Sequence, residues 1–332
     1  MHMADALLSP GVGAAAWAAS AGLLAYSAKK IRTHEDERIV PLMGVLGAFV
    51  FAAQMVNFAI PGTGSSGHIG GGLLLAILLG PYAAFTVLAS VLTVQALLFA
   101  DGGLLALGAN IFNLGFFPCF VAYPLIFRPL AGDHPSDKRL AVAVVIAAVI
   151  GLQLGSLGVV LETWGSGISS LPLASFLVLM QPIHLGIGIG EGLATAGLVL
   201  FLRRMRPDLV AFGGARGAAP KLKRVVGAFA LGALVTGGMI SSFASTAPDG
   251  LEWSIERVAA AELKAEGEVH TALAAWQEKL ALMPDYAAPA ADGLAAEHST
   301  ALAGVLGGAV TLAVVMAIAW ALKRRRTRSP TR

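Results

Sequence analysis

The sequence predicts an all-α, polytopic membrane protein, and three observations carry that prediction. Apolar stretches of roughly 20 residues, the length that crosses ~30 Å of hydrocarbon as a helix, recur along the whole chain. Only 13% of the residues are charged against 56% hydrophobic, and the 40 glycines suit helices packed closely in lipid. Lysine and arginine gather in a few short stretches that can all lie on one side of a bilayer. The single cysteine, Cys119, stands inside an apolar run, so disulfide frameworks and thiolate metal sites are excluded and any metal must be held by nitrogen or oxygen.

The elements follow in order. Spans are expected at about 8–28, 39–61, 69–80, 82–99, 104–127, 139–161, 175–203, 225–246 and 299–322, the third being short and broken at Gly80-Pro81. The basic segments KKIRTHEDER, RPLAGDHPSDKR, RRMRPD, KLKR and KRRRTR, with Arg216 and Arg332 beside them, hold 20 of the 23 Lys and Arg and should be cytoplasmic. They share one side only if 69–127 crosses three times, with reversals at Gly80-Pro81 and at ADGG (100–103). The N-terminus and the 62–68 loop are then extracytoplasmic, the C-terminus is cytoplasmic, and the setting is the inner, or cytoplasmic, membrane. Between 248 and 298 lies an extracytoplasmic insert with 10 acidic residues against Arg257, Lys264 and Lys279. Its centre has helix-forming composition, and PDYAAPAADG reads as turn or extended linker. The acidity either keeps a small outside domain soluble or concentrates cations at the surface. The chain therefore divides into a seven-span part (1–205), a basic cytoplasmic linker (206–224) and a two-span hairpin (225–332) carrying the insert.

The opening MHMADALLSP places a histidine second. The backbone nitrogen of His2 is one chelate ring from the α-amine of Met1, and its imidazole Nδ1 closes a second ring, so three nitrogens converge in a plane. Late first-row cations such as Ni(II) and Cu(II) favour such square-planar nitrogen fields, and binding can displace the amide proton. A fourth donor is available on the same side of the membrane: His68 in GTGSSGHIGGG, a glycine-rich loop able to bend toward the N-terminus. Taken singly, an untidy terminus and a flexible loop with an incidental histidine account for these features as well.

Other polar residues are candidates for support. His184 and Glu191 in PIHLGIGIGEG are spaced i, i+7 and share a helix face; intramembrane ionisable groups are functional candidates, here as hydrogen-bonded packing or outer contacts to a metal site. Asp5, Asn57 and Ser66 join them as supporting candidates. Gly44, Ala48 and Ala52, at i, i+4, i+8 of the second span, form a flat seam fit either for docking another subunit or for packing within this chain.

Four segments together carry a resemblance: MHMADALLSP, GAFVFAAQMVNFAIPGTGSSGHIGGGLLLAILLGPYAAF, VQALLFADGGLLALGANIFNLG and HLGIGIGEG. Over about 1–205 the chain resembles the CbiM/NikM family, the substrate-binding (S) membrane component of energy-coupling-factor transporters for nickel or cobalt. FASTAPDGLEWSIE is similar to the small two-span partner CbiN/NikN with its PDGLE motif, so the chain looks like a fusion of the two. The resemblance implies metal ligands at Met1, His2 and His68. Family members usually begin Met-His-Ile-Pro-Asp, and Met3 and Ala4 here replace the Ile-Pro pair while leaving the ligands in place.

No G-x-x-x-x-G-K-[ST] loop occurs, so the chain is not itself an ATPase. The resemblance implies a coupling transmembrane (T) subunit and cytoplasmic ATPase subunits as partners, membrane lipid as surroundings, and no nucleic acid. Ni(II), favoured over Co(II) on geometry and on the stability order, is expected as transported substrate, with no catalytic cofactor. The rival class is an ion-coupled secondary carrier or channel running through Asp101, Glu162 and Glu191, which would show inverted repeats; none is visible. A structural or assembly subunit would leave the Met-His start unexplained.

Overall fold

The computed structural model describes residues 1–33, 39–206, 222–258, 267–288 and 296–326. Most of the expected linker and the middle of the insert lie outside them. The chain forms helices α1 (Pro10–Thr33), α2 (Ile39–Gln54), α3 (Gly72–Leu79) and α4 (Pro81–Phe99). A long helical run follows, built from α5 (Leu107–Ile111), a π-helical stretch (Phe112–Phe127) and α6 (Arg128–Ala131). Next come α7 (Asp137–Ser166), α8 (Leu173–Met205), α9 (Leu222–Gly238), the short α10 (Gly250–Val258) and α11 (Glu268–Leu280), and finally α12 (Ala296–Arg326).

Among the described residues six helices are long and apolar enough to cross a membrane: Pro81–Phe99, Leu107–Ala131, Asp137–Ser166, Leu173–Met205, Leu222–Phe243 and His298–Arg324. The remaining three expected spans are helical but differ. The first, α1, is long yet diluted by Ala, Gly and Ser and ends in Lys29, Lys30 and Arg32. The third, α3, has only 8 residues, ended by Gly80 at φ 80° and followed at once by Pro81 as the first residue of α4.

The second expected span requires correction: 39–61 does not run on as helix. It stops at Gln54, and Phe58–Ile60 (β1) pairs antiparallel with Ser65–Gly67 (β2). Continuous apolarity hid this break, because a short buried strand and a buried helix end read alike. Pro61 and the positive-φ residues Gly62 and Gly64 close the turn, so His68 follows an ordered hairpin and not a flexible loop.

Prolines Pro118 and Pro124 stand inside the π-helical stretch. Proline lacks the N–H that an α-helical turn needs and clashes with the preceding turn, and a wider turn accommodates that defect. Cys119 is buried there as a small packing residue.

The C-terminal hairpin lies on α2. Helices α9 and α12 both pack against it and against each other, and they cross through two glycines. A Cβ at Gly237 would meet the Gly304 carbonyl carbon at 3.0 Å, and one at Gly304 would overlap Gly237 backbone. The seam of Gly44, Ala48 and Ala52 is thereby filled from within: Met316 and Leu312 cover Gly44, Gly308 faces Ala48, and Gly237 comes up to Ala52. Small residues matter here because the close approach supplies dispersion contact where lipid removes the hydrophobic drive. Gly304→Val should force the hairpin helices apart and cost about 1–3 kcal/mol as overpacking. A lowered thermal midpoint in detergent, with Gly11→Val unchanged as the open-site control, checks this.

Candidate metal centre

The first four residues run into the protein as an irregular strand, outside any helix or sheet, and local chemistry explains their course. The Met3 N–H donates to Asn110 Oδ1 (2.8 Å), Asn110 Nδ2 returns a bond to the Met3 carbonyl (3.2 Å), and the Gly103 N–H donates to the same carbonyl (2.9 Å). Asp5 Oδ1 accepts the Ala106 N–H at 2.9 Å. Burial pushes the Asp5 carboxyl up from the ordinary carboxylate range, against the pull of backbone N–H groups including that of Ala106. The ADGG turn is the cradle: Gly102 has φ +81°, and at Gly103 a Cβ would overlap the Asp5 carboxylate. Met3, Leu7 and Leu8 are fully buried anchors behind it.

This strand brings Met1, His2 and His68 together. The Met1 nitrogen is 3.5 Å from His68 Nε2. The His2 and His68 rings stack with centroids 5.3 Å apart and planes 8° off parallel. His68 Nδ1 is 3.2 Å from the Ile69 carbonyl, so that nitrogen carries the proton and the Nε2 lone pair faces the amine. Burial, then the charges of the α-amine and His2, lowers the His68 pKa to about 3. It is a neutral imidazole throughout the physiological range.

Two carboxylates complete the arrangement, and reading the sequence alone assigned neither of them here. His2 Nδ1 pairs with Asp101 Oδ1 at 3.0 Å, while His2 Nε2 has no hydrogen-bond partner among the described residues. Tyr286 Oη donates to Asp101 Oδ2 at 2.5 Å and stacks on Phe99. Burial alone would raise Asp101; the charge and hydrogen bond of His2, with the bond from Tyr286, outweigh it and hold the group below the usual carboxylate range. Met1 nitrogen pairs with Asp249 Oδ2 at 2.5 Å. For Asp249 too, the α-amine overrides burial and keeps the carboxylate ionised.

Asp249 belongs to Pro248-Asp249-Gly250-Leu251-Glu252, and each residue has a physical task. Asp249 Oδ1 accepts the N–H groups of Leu251 (2.8 Å) and Glu252 (2.9 Å), while Glu252 Oε2 accepts the Asp249 N–H (3.2 Å). This is a capping box at the start of α10, and it leaves Oδ2 free for the amine. A Cβ on Gly250 would press on Ile183 Cγ2 at 2.6 Å and His184 Cε1 at 3.1 Å; Leu251 is buried. The Pro248 carbonyl accepts the Ser66 N–H at 2.8 Å. The D-x-x-E spacing was the readable signal for this role.

The supporting candidates have separate duties. Ser66 Oγ donates to the Ala247 carbonyl (2.7 Å), and the Asn57 carbonyl accepts the Ser245 N–H (2.8 Å), so both stitch the hairpin insert to the first part of the chain. Glu191 Oε1 accepts the Gly71 N–H at 3.0 Å and fixes the loop behind His68. His184 Nδ1–H donates to the Met180 carbonyl (2.8 Å), and His184 lines a small void shared with Met1, His68 and Asp249. Glu162 accepts from Asn113 Nδ2 at 2.6 Å. Asp101, Glu162 and Glu191 are thus each held by different partners.

With this geometry in view, the relatives decide the family. The description "Cobalt uptake substrate-specific transmembrane region" (CbiM) matches residues 2–209, and the PDGLE domain matches residues 223–324. The chain belongs to the CbiM family. It carries a PDGLE domain fused behind the CbiM part. A relative in Archaeoglobus fulgidus named as a NikMN fusion is 33% identical over 96% of this chain and 98% of its own length. The fused nickel transport protein NikMN of Rhodobacter capsulatus is 32% identical over 64% of each chain. The crystal structure of a truncated transition metal transporter is similar at a TM-score of 0.55 and 33% identity, covering 62% of this chain and 99% of that one. This CbiM-family chain is therefore a multi-pass membrane component of metal transport.

Two outcomes follow from the site geometry. Asn caps helices as well as Asp does but leaves the buried α-amine without its carboxylate, so Asp249→Asn should cost about 3 kcal/mol, as breaking a buried ion pair does, and Asp249→Ala about 1 kcal/mol more through the lost cap; thermal unfolding of both variants measures it. His68 has a folded pKa of about 3 against an ordinary histidine value of 6.5, so between those values the unfolded chain binds a proton that the folded chain rejects. Stability is fully present above pH 6.5 and falls as pH falls through that window. Thermal midpoints between pH 6.5 and 4.5 should decline in the parent and decline less in His68→Gln.

Proposed function

We propose that the protein is the substrate-specific component of an ATP-driven energy-coupling-factor importer and that it captures Ni(II), in preference to Co(II), outside the inner membrane. The ligands in this reading are the α-amine of Met1, the backbone amide and imidazole of His2, and His68 Nε2. The observation that carries it is the meeting of a buried α-amine with a neutral imidazole 3.5 Å away, beside a second histidine ring stacked on the first. His68 donates its other ring N–H to the Ile69 carbonyl, the orientation a metal-ligating histidine ordinarily has. Asp249 would release the amine as the ion binds, and His2 Nδ1 would turn from Asp101 to close its chelate ring.

Among the described residues no three His, Cys, Asp or Glu side chains are grouped to hold an ion; the proposed site uses two side-chain donors and two main-chain nitrogens. The names of the fused nickel transport relatives support nickel, and the square-planar preference of Ni(II) supports it on chemistry. Energy would come from a coupling transmembrane subunit and cytoplasmic ATPases, because the sequence holds no phosphate-binding loop of its own. The N-terminus and the hairpin insert would then lie outside and the C-terminus inside, with the CbiM part at 1–205, the basic linker at 206–224 and the PDGLE part at 225–332.

Adding one residue before Met1 should abolish high-affinity Ni(II) binding while leaving the protein folded and inserted; isothermal titration of both forms decides it, and equal affinity removes the N-terminal ligand. His68→Ala should weaken binding at least about 100-fold, since outer contacts alone contribute 10- to 100-fold at metal sites. Binding must strip protons from the amine and the amide, so affinity should rise with pH and release more than one proton per ion, giving a low-spin square-planar spectrum.

A further inference from the structure

An outward cavity of about 680 Å³ opens beside the metal centre, and it exists only where the two halves of the chain meet. His2 and His68 form one part of its wall. Four carboxylates stand among neutral residues in the remainder, Asp101 from the CbiM part and Asp249, Glu252 and Asp285 from the hairpin insert, and no Lys or Arg stands among the described lining residues. We infer that this cavity is a vestibule in which a hydrated divalent cation is held by its water shell and meets His2 Nε2 before it reaches the proposed four-nitrogen site. The inference rests on the reading of Met1, His2 and His68 as ligands and adds the step that precedes it.

Geometry supplies the nitrogen. The His2 side chain is only 7% exposed, its Nδ1 is engaged by Asp101, and its Nε2 has no hydrogen-bond partner among the described residues. In the neutral ring the Asp101 carboxylate keeps the proton on Nδ1, so Nε2 presents a lone pair, and a buried acceptor left without a donor costs free energy. Carboxylate, Nδ1–H and a free Nε2 lone pair form the arrangement by which a carboxylate orients a histidine toward a metal. The same ring can therefore serve first through Nε2 and afterwards, once it leaves Asp101, through Nδ1.

Space and charge fit a hydrated ion. Six waters occupy roughly 180 Å³ at about 30 Å³ each, well within the cavity. The described carboxylates are not grouped closely enough to coordinate an ion directly. Acceptors spread around a cavity can instead receive hydrogen bonds from coordinated water; with Asp249 paired to the α-amine and Asp101 to His2, the negative excess rests on Glu252 and Asp285, and such an excess speeds arrival of the opposite charge. The backbone is shaped for this end: Asp285 (φ 51°) and Tyr286 (φ 60°) are consecutive non-glycine residues in the left-handed region. That bend sets Asp285 on the cavity wall and Tyr286 Oη on Asp101. Such strain concentrates at functional sites.

The test uses the full chain with its native N-terminus and Ni(II) alone as probe. Glu252→Gln with Asp285→Asn removes two vestibule charges while Gln keeps the capping box and Asn tolerates the left-handed backbone. Stopped-flow association at low salt should slow about tenfold and lose most of its dependence on ionic strength, while the absorption spectrum at saturation stays that of the parent. The control Glu268→Gln with Glu278→Gln makes the same charge change on exposed positions of α11 and should leave the rate nearly unchanged. An unaltered rate in the vestibule variant, or an equal loss in the control, overturns the vestibule while leaving the ligand reading intact. Persistent high-affinity binding after N-terminal extension overturns the ligand reading instead, and a parent chain that takes up no Ni(II) overturns both.

Discussion

A buried α-amine is the constraint on which the rest of this structure depends. Met1 is 6% exposed, and its nitrogen lies between a neutral imidazole and a carboxylate. A charge taken from water is tolerated only when paired and hydrogen-bonded, so the fold must deliver an acceptor to the first atom of the chain. Asp249 meets that demand from 248 residues away. Everything that brings the two together follows: the clamp of Asn110 on Met3, the glycine turn that lets the strand pass, and the capping box that aims one carboxylate oxygen outward while the other holds a helix end.

The same constraint links the two halves of the chain. Residues 245–253 bond along 57–67, through Ser245 to Asn57, Ser66 to Ala247 and Pro248, and Trp253 to Thr63. On the other side Gln277 donates to the Ala96 and Gly102 carbonyls, and Leu282 and Met283 donate to the Leu98 carbonyl. The insert thus grips both loops beside the buried α-amine, one carrying His68 and the other carrying Asp101. Within the membrane the attachment is of another kind, small residues of α2, α9 and α12 packed at close range.

Much of this was legible in the sequence because the signals were either long or chemically specific. Apolar runs mark the helices, and a histidine in second place with another beyond a glycine-rich turn marks the three residues that converge. What was not legible depended on contacts distant in sequence. Asp101 reads as a turn residue, and only the fold sets it on His2. The hairpin at 58–67 was lost in an apolar run that reads as the end of a span. Asp249 was visible as part of a motif, and its D-x-x-E spacing could have marked it as a helix cap, but nothing local tells which atom its second oxygen meets. Asn110 sits in an apolar segment where an amide looks like ordinary helix packing, whereas it anchors the N-terminal strand at both Met3 backbone groups.

Joining the halves in one polypeptide changes what those stitching contacts must supply. As a separate chain, the hairpin would find its seat by diffusing in the plane of the membrane, and each hydrogen bond to the 57–67 and 96–102 loops would have to offset the loss of that freedom. Tethered, it faces its seat at an effective concentration of the millimolar order set by the linker, so modest and mostly polar contacts suffice to keep it docked. Such contacts are individually weak. The insert and the glycine-packed helices are therefore held by different kinds of contact, so that loosening the one does not require undocking the other.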